Sequence, residues 1–218
     1  MDALTDIGEM VISTRDDDFF LRPSFIALTR IGSPEEIVEA YSIINGRDFG
    51  VLVRAAELQG VPSPWLVESV SGTASRRMLN AAMTVIQACC DRDATTLVGE
   101  LADDLTRQHG LIPDTDMLII ARELLEHGVM GKAPLRKLQK HENQQTYTAG
   151  FRAVEYITAA RSHFGLPRAE AEQLTMTAFQ LMLKAKYPEE KGFTRDEYED
   201  IMAAHEQRKM QKLEAMKA

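Results

Sequence analysis

The sequence predicts a mainly α protein, a multi-helix, bundle-like architecture with a small N-terminal β-hairpin. Three observations carry that prediction. Apolar residues recur at i, i+3, i+4 through most of the chain, the spacing of one buried helix face. Ser/Thr-x-x-Glu boxes and Pro open these segments, and Gly or Pro closes them. β-Branched and aromatic runs of strand length lie near the start, split by an acidic cluster.

The strands come first. Met10 to Thr14 and Phe19 to Leu21 read as a hairpin closed by Asp16-Asp17-Asp18. Ser33-Pro34-Glu35-Glu36 places an N-cap, a proline at the first helical position and a glutamate at N3, so a helix runs to about Ile44 and stops at Asn45-Gly46. A second helix spans Phe49 to Gln59, ended by Gly60; Pro62-Ser63-Pro64 then opens a short turn containing Trp65. From Thr73 to Cys90, Met78, Leu79, Ala82, Val85, Ile86 and Cys89 line one helix face. Thr96 to Arg107 and Thr115 to Glu126 read as further helices, closed by His109-Gly110 and His127-Gly128 with glycine as the left-handed cap.

Pro134 to His141 is short and basic, and the low apolar content of residues 142–148 predicts a boundary between an N-terminal helical domain, 1–142, and a C-terminal helical subdomain, 143–218. In the latter, Tyr147 to Phe164 is a helix with Phe151, Val154, Ile157 and Ala160 or Arg161 on one face. Pro167 starts a short helix to about Leu174, and Thr175 or Thr177 caps another from Ala178 to Lys186, stopped by Pro188. Thr194-Arg195-Asp196-Glu197 opens a terminal helix whose polar end frays unless a partner covers Met202, Met210 and Leu213.

At 218 residues and 44% apolar, a chain of this size buries roughly 70% of its unfolded surface and needs no disulfide or metal to hold a core. The 25 Lys and Arg against 33 Asp and Glu leave a net charge of −8, which repels phosphate backbones on average and argues against nucleic acid as a partner. No stretch approaches the roughly 20 apolar residues of a membrane span, and the opening residues lack the pattern of a secretory signal, so the expected location is cytoplasmic.

Chemistry-bearing motifs are sparse. The five His are scattered, with no His-x-x-x-His or Cys-x-x-Cys, so no metal is expected. Cys89 and Cys90 are adjacent, and Cys89 sits on an apolar helix face, which suits a buried thiol better than a redox pair. There is no Gly-x-Ser-x-Gly and no phosphate-binding glycine loop. Asp16-Asp17-Asp18 and Asp103-Asp104 lack the alternate spacing of a calcium loop and read as solvated turns. The helix pair at 167–186 has the outline of a helix-turn-helix, but Phe179, Leu181, Met182 and Leu183 make its second helix apolar where a DNA reader needs cations. Neither an enzyme nor a cofactor is expected. The 11 Met, gathered toward the C-terminus, suit either core filling or an adaptable partner surface.

Leu174 to Pro188 with the following Glu189 to Tyr198, Phe151 to Ile157, Ala160 to Glu172, and Arg22 to Ile37 together resemble an uncharacterised family from the tail operons of long-tailed bacteriophages and prophages, whose named members are called tail assembly chaperones. The resemblance implies a non-enzymatic helper in the infected host's cytoplasm that binds the long tape-measure protein and promotes assembly of tail-tube protein around it, with self-association compatible. A structural minor tail or virion component, or a regulatory nucleic-acid-binding protein, are the alternatives. The residues expected to contact a partner are Phe179, Met182, Leu183, Lys184, Lys186, Phe193, Tyr198 and Met202, with an own-core role open for all the apolar ones and favoured for Phe179 and Leu183.

Overall fold

The computed structural model describes residues 2–50, 54, 64–101, 107–133, 150–187 and 202. It is mainly α. After a 3-10 turn at Thr5–Ile7, strands β1 (Met10–Ser13) and β2 (Asp18–Leu21) pair antiparallel with Met10 opposite Leu21. The turn between them is closed by Thr14, whose Oγ1 accepts from Asp17 N at 3.0 Å and donates to Asp17 O at 2.9 Å. The short helix α1 (Phe25–Leu28) follows, capped by Ser24, and then α2 (Pro34–Ile44). The predicted capping box is complete: Ser33 Oγ accepts from Glu36 N at 3.3 Å, and Glu36 Oε2 accepts from Ser33 N at 2.7 Å. Gly46 N donates to Ile43 O, ending the helix where predicted.

The helix expected over Phe49 to Gln59 lies almost wholly outside the described residues; Arg47–Phe49 is a 3-10 turn. Helix α3 (Pro64–Cys89) is longer than predicted and takes in Trp65, expected in a turn. Pro64 is at its first position, where a missing N–H costs nothing, and no breaker follows strong enough to stop it before Cys89. A larger correction concerns Thr96 to Arg107. Among the described residues there, only α4 (Thr95–Val98) is helical; β3 (Gly99–Leu101) and β4 (Arg107–His109) then pair antiparallel. Gly99 causes the change: its φ is +84°, and a Cβ there would collide with the carbonyl of Gln108.

Helix α5 (Asp114–Leu125) buries Met117, Ala121, Leu124 and Leu125. It does not end at His127-Gly128. It widens into a π turn, Glu126–Met130, whose closing bond runs from Gly131 N to Glu126 O at 2.7 Å. The left-handed residue is Gly131, φ +79°, three positions later than predicted. Helix α6 (Ala153–Phe164) starts later than Tyr147; of the expected face, Phe151 and Ala160 are buried and Ile157 packs on the core, but Val154 is exposed, and Ala153 and Tyr156 turn inward instead. Helices α7 (Arg168–Glu172) and α8 (Met176–Lys186) close the order, α8 capped by Thr175, whose Oγ1 accepts from Ala178 N at 3.1 Å.

Met1–Leu183 forms one compact unit and Lys184–Ala218 another. Residues on both sides of the predicted boundary, itself outside the described residues, share the core of the first unit. Phe25, fully buried, stacks on Tyr156 with centroids 5.5 Å apart, meets Phe179 edge-on at 6.0 Å, and lies 6.4 Å from Phe151. Phe25 N donates to Leu174 O at 2.9 Å, and Phe151 N to Pro34 O at 2.8 Å. Arg22 N donates to Cys89 O and Arg30 Nη1 to Ala88 O, satisfying two carbonyls at the end of α3, and Asp91 N just beyond it donates to Phe20 O of β2. The buried carboxylate of Glu9 is held by Arg22 Nε at 2.7 Å and Leu4 N at 2.9 Å.

Phe25→Ala therefore lowers the stability of the protein by about 3–5 kcal/mol in urea titration, against about 1 kcal/mol for Ser33→Ala, which removes only the cap of α2.

Candidate functional site

Two hollows among the described residues differ in chemistry. One is a cleft of about 890 Å³ beside the end of α3, lined by Arg30, Gln87, Cys90, Asp91, Arg92 and Glu100 among others. It is open, and both of its arginines are already engaged locally. Arg92 pairs with Asp17 at 3.0 Å and lies over the ring of Phe19, and Arg30 serves the helix end. Its thiol is not poised for attack: burial, and secondarily Asp91, push the Cys90 pKa up. Burial pushes neighbouring Cys89 up to about 12. Both cysteines are free and buried, the packing role their position predicts. Among the described residues, no three His, Cys, Asp or Glu side chains are grouped as a metal site would require.

The second hollow, of about 520 Å³, is an apolar groove, within the size range of ligand pockets. Helix α2 turns Ile37, Ala40 and Ile44 inward and leaves Val38 and Tyr41, three apart, half-buried along one side. The π turn supplies Val129 and Met130. Phe151 and Tyr156, from the aromatic core, form the base. Helix α8 provides the remaining wall with Met176, Phe179, Gln180 and Leu183, the i, i+3, i+4, i+7 face of an amphipathic helix. Burial, and secondarily Glu155, push the phenol of Tyr156 up, so it stays neutral. The groove's lining offers shape and apolar area and few charges.

Polar bonds fix the groove's two flanks to each other. Thr177 Oγ1, buried under α8, accepts from Lys132 N at 3.0 Å, lies 2.9 Å from His127 Nδ1 and donates toward His127 O at 3.3 Å. Gln180 Nε2 donates to Met130 O at 2.8 Å, and its amide occupies the place a Cβ on Gly131 would take, so a side chain there must displace it. The other edge of His127 faces Glu123, with Nε2 3.9 Å from Oε2, and Lys132 Nζ bridges Glu123 and Glu126. Burial, and then Lys132, hold the His127 pKa below the ordinary imidazole value, opposed by Glu123, Glu126 and Asp6.

Of the eight residues expected to contact a partner, Phe179 is core and reaches the groove, Leu183 lines it, and Met182 is half-buried on the same helix. Lys184 and Lys186 are exposed in the last turn of α8, where cations complement the helix dipole. Met202 is exposed; Phe193 and Tyr198 lie outside the described residues. Sequence reasoning missed Val38, Tyr41, Val129, Met130 and the His127–Thr177 pairing. The half-apolar outer face of α2 was the available signal. A contact spanning fifty residues, joining a histidine to a threonine, leaves none.

This geometry defines a small, mainly helical protein built around a pre-formed apolar groove. The chain belongs to DUF6246, a family of unknown function, which it matches over residues 21–200, a span that contains every element of the groove. No curated protein and no solved structure matches it.

Two outcomes follow. Because the folded state holds His127 neutral, nothing is lost above the ordinary imidazole pKa of about 6.5, and stability falls as the pH drops through that value and the unfolded chain alone takes up the proton. The urea midpoint of the wild type, less that of His127→Gln, decreases between about pH 7.5 and 5.5; a pH-independent difference would show that the ring is not held neutral. Gly131→Ala, which strains a positive φ and displaces the Gln180 amide, costs about 1–2 kcal/mol in the same titration.

Proposed function

We propose that this protein is a non-enzymatic assembly helper, a phage tail assembly chaperone, whose groove shelters an apolar helical stripe of the tape-measure protein in the host bacterial cytoplasm until tail-tube protein displaces it. The observation that carries the reading is the groove: half-buried Val38, Tyr41 and Leu183 and the mostly exposed Met130 ring a preformed apolar channel, the surface an amphipathic helix docks on. The resemblance of the α6, α7 and α8 segments to tail-operon proteins supports the same reading, because two of those helices build the groove.

The magnitudes suit a transient partner. Three apolar side chains buried at roughly 1.5–3 kcal/mol each give roughly 5–9 kcal/mol gross. Association costs of roughly 4 kcal/mol or more leave a weak net affinity, weak enough for assembling tube subunits to compete. Met130 adds adaptable, polarizable surface, which tolerates variation along a repetitive helical stripe. Protonated, buried thiols fit a protein that makes and breaks no bonds.

Co-expressed with tape-measure protein, the wild-type chain co-purifies with it from lysate and is absent from purified virions by mass spectrometry; presence in virions would make it a structural tail component instead. Met130→Glu, at a site 56% exposed, leaves the melting temperature unchanged and lowers capture by at least about tenfold, the effect of burying one unpaired charge. Unchanged capture by this variant removes the groove from the reading. Reversing Lys184 and Lys186 to Glu tests the end of α8 separately: retained capture excludes it as the contact with an acidic partner.

A further inference from the structure

We draw no further inference here: the strongest candidate, the buried His127–Thr177–Lys132 cluster between the π turn and the start of α8, belongs to the site already described, whose flanks it holds together.

Discussion

The burial of Phe25 is the constraint on which the rest of the first unit depends. A four-residue helix has almost no stability of its own, since a helical nucleus fixes many dihedral angles for one hydrogen bond. Helix α1 exists because its aromatic ring is enclosed by Phe151, Tyr156 and Phe179, contributed by segments more than a hundred residues away. The enclosure acts in both directions. It seats α6 and α8 against the N-terminal elements, and the same rings that surround Phe25 on one side form the base of the groove on the other. Core and candidate site therefore share side chains, and the groove's base is as rigid as the core it belongs to.

Rigidity at the base does not by itself fix the flanks. That role falls to a few hydrogen bonds between α8 and the end of α5. Thr177 satisfies the Lys132 amide and meets both the ring and the carbonyl of His127, while Gln180 takes up the Met130 carbonyl. These are groups that a widened helix end leaves without intrahelical partners, so the bonds that complete the π turn also set the groove's width. An apolar surface held in this way loses little conformational freedom when it is filled, which conserves what affinity a modest contact area can give.

Much of the fold was legible in local chemistry. The capping box at Ser33, the β-branched and aromatic runs split by an acidic turn in the hairpin, and the apolar stripe of α3 are short-range signals, and each produced the element it predicts. The misreadings share a cause. Thr96 to Arg107 carries a helical pattern, yet Gly99 takes a positive φ and turns the chain into a strand pair; His127-Gly128 has the form of a cap, yet tertiary bonds from Thr177 favour a wider turn and move the cap to Gly131. Val154 shows the limit of periodicity, since Phe151 precedes α6 and so does not set its phase. The groove was legible only along α8. Its other walls come from elements distant in sequence, and a half-buried Val38 or Tyr41 is indistinguishable in one dimension from a core residue.

The π turn has a bearing on length variation. A turn closed five residues back accommodates one more residue than an α-helical turn, and one residue of an α-helix corresponds to about 100° of rotation. Removing a single residue between Glu126 and Met130 would wind the segment back to an ordinary helix, swing its last side chains around the axis and draw the Met130 carbonyl away from Gln180. Relatives sharing this groove should therefore differ at these positions by substitution and keep the number of residues constant, while gaps and insertions accumulate elsewhere.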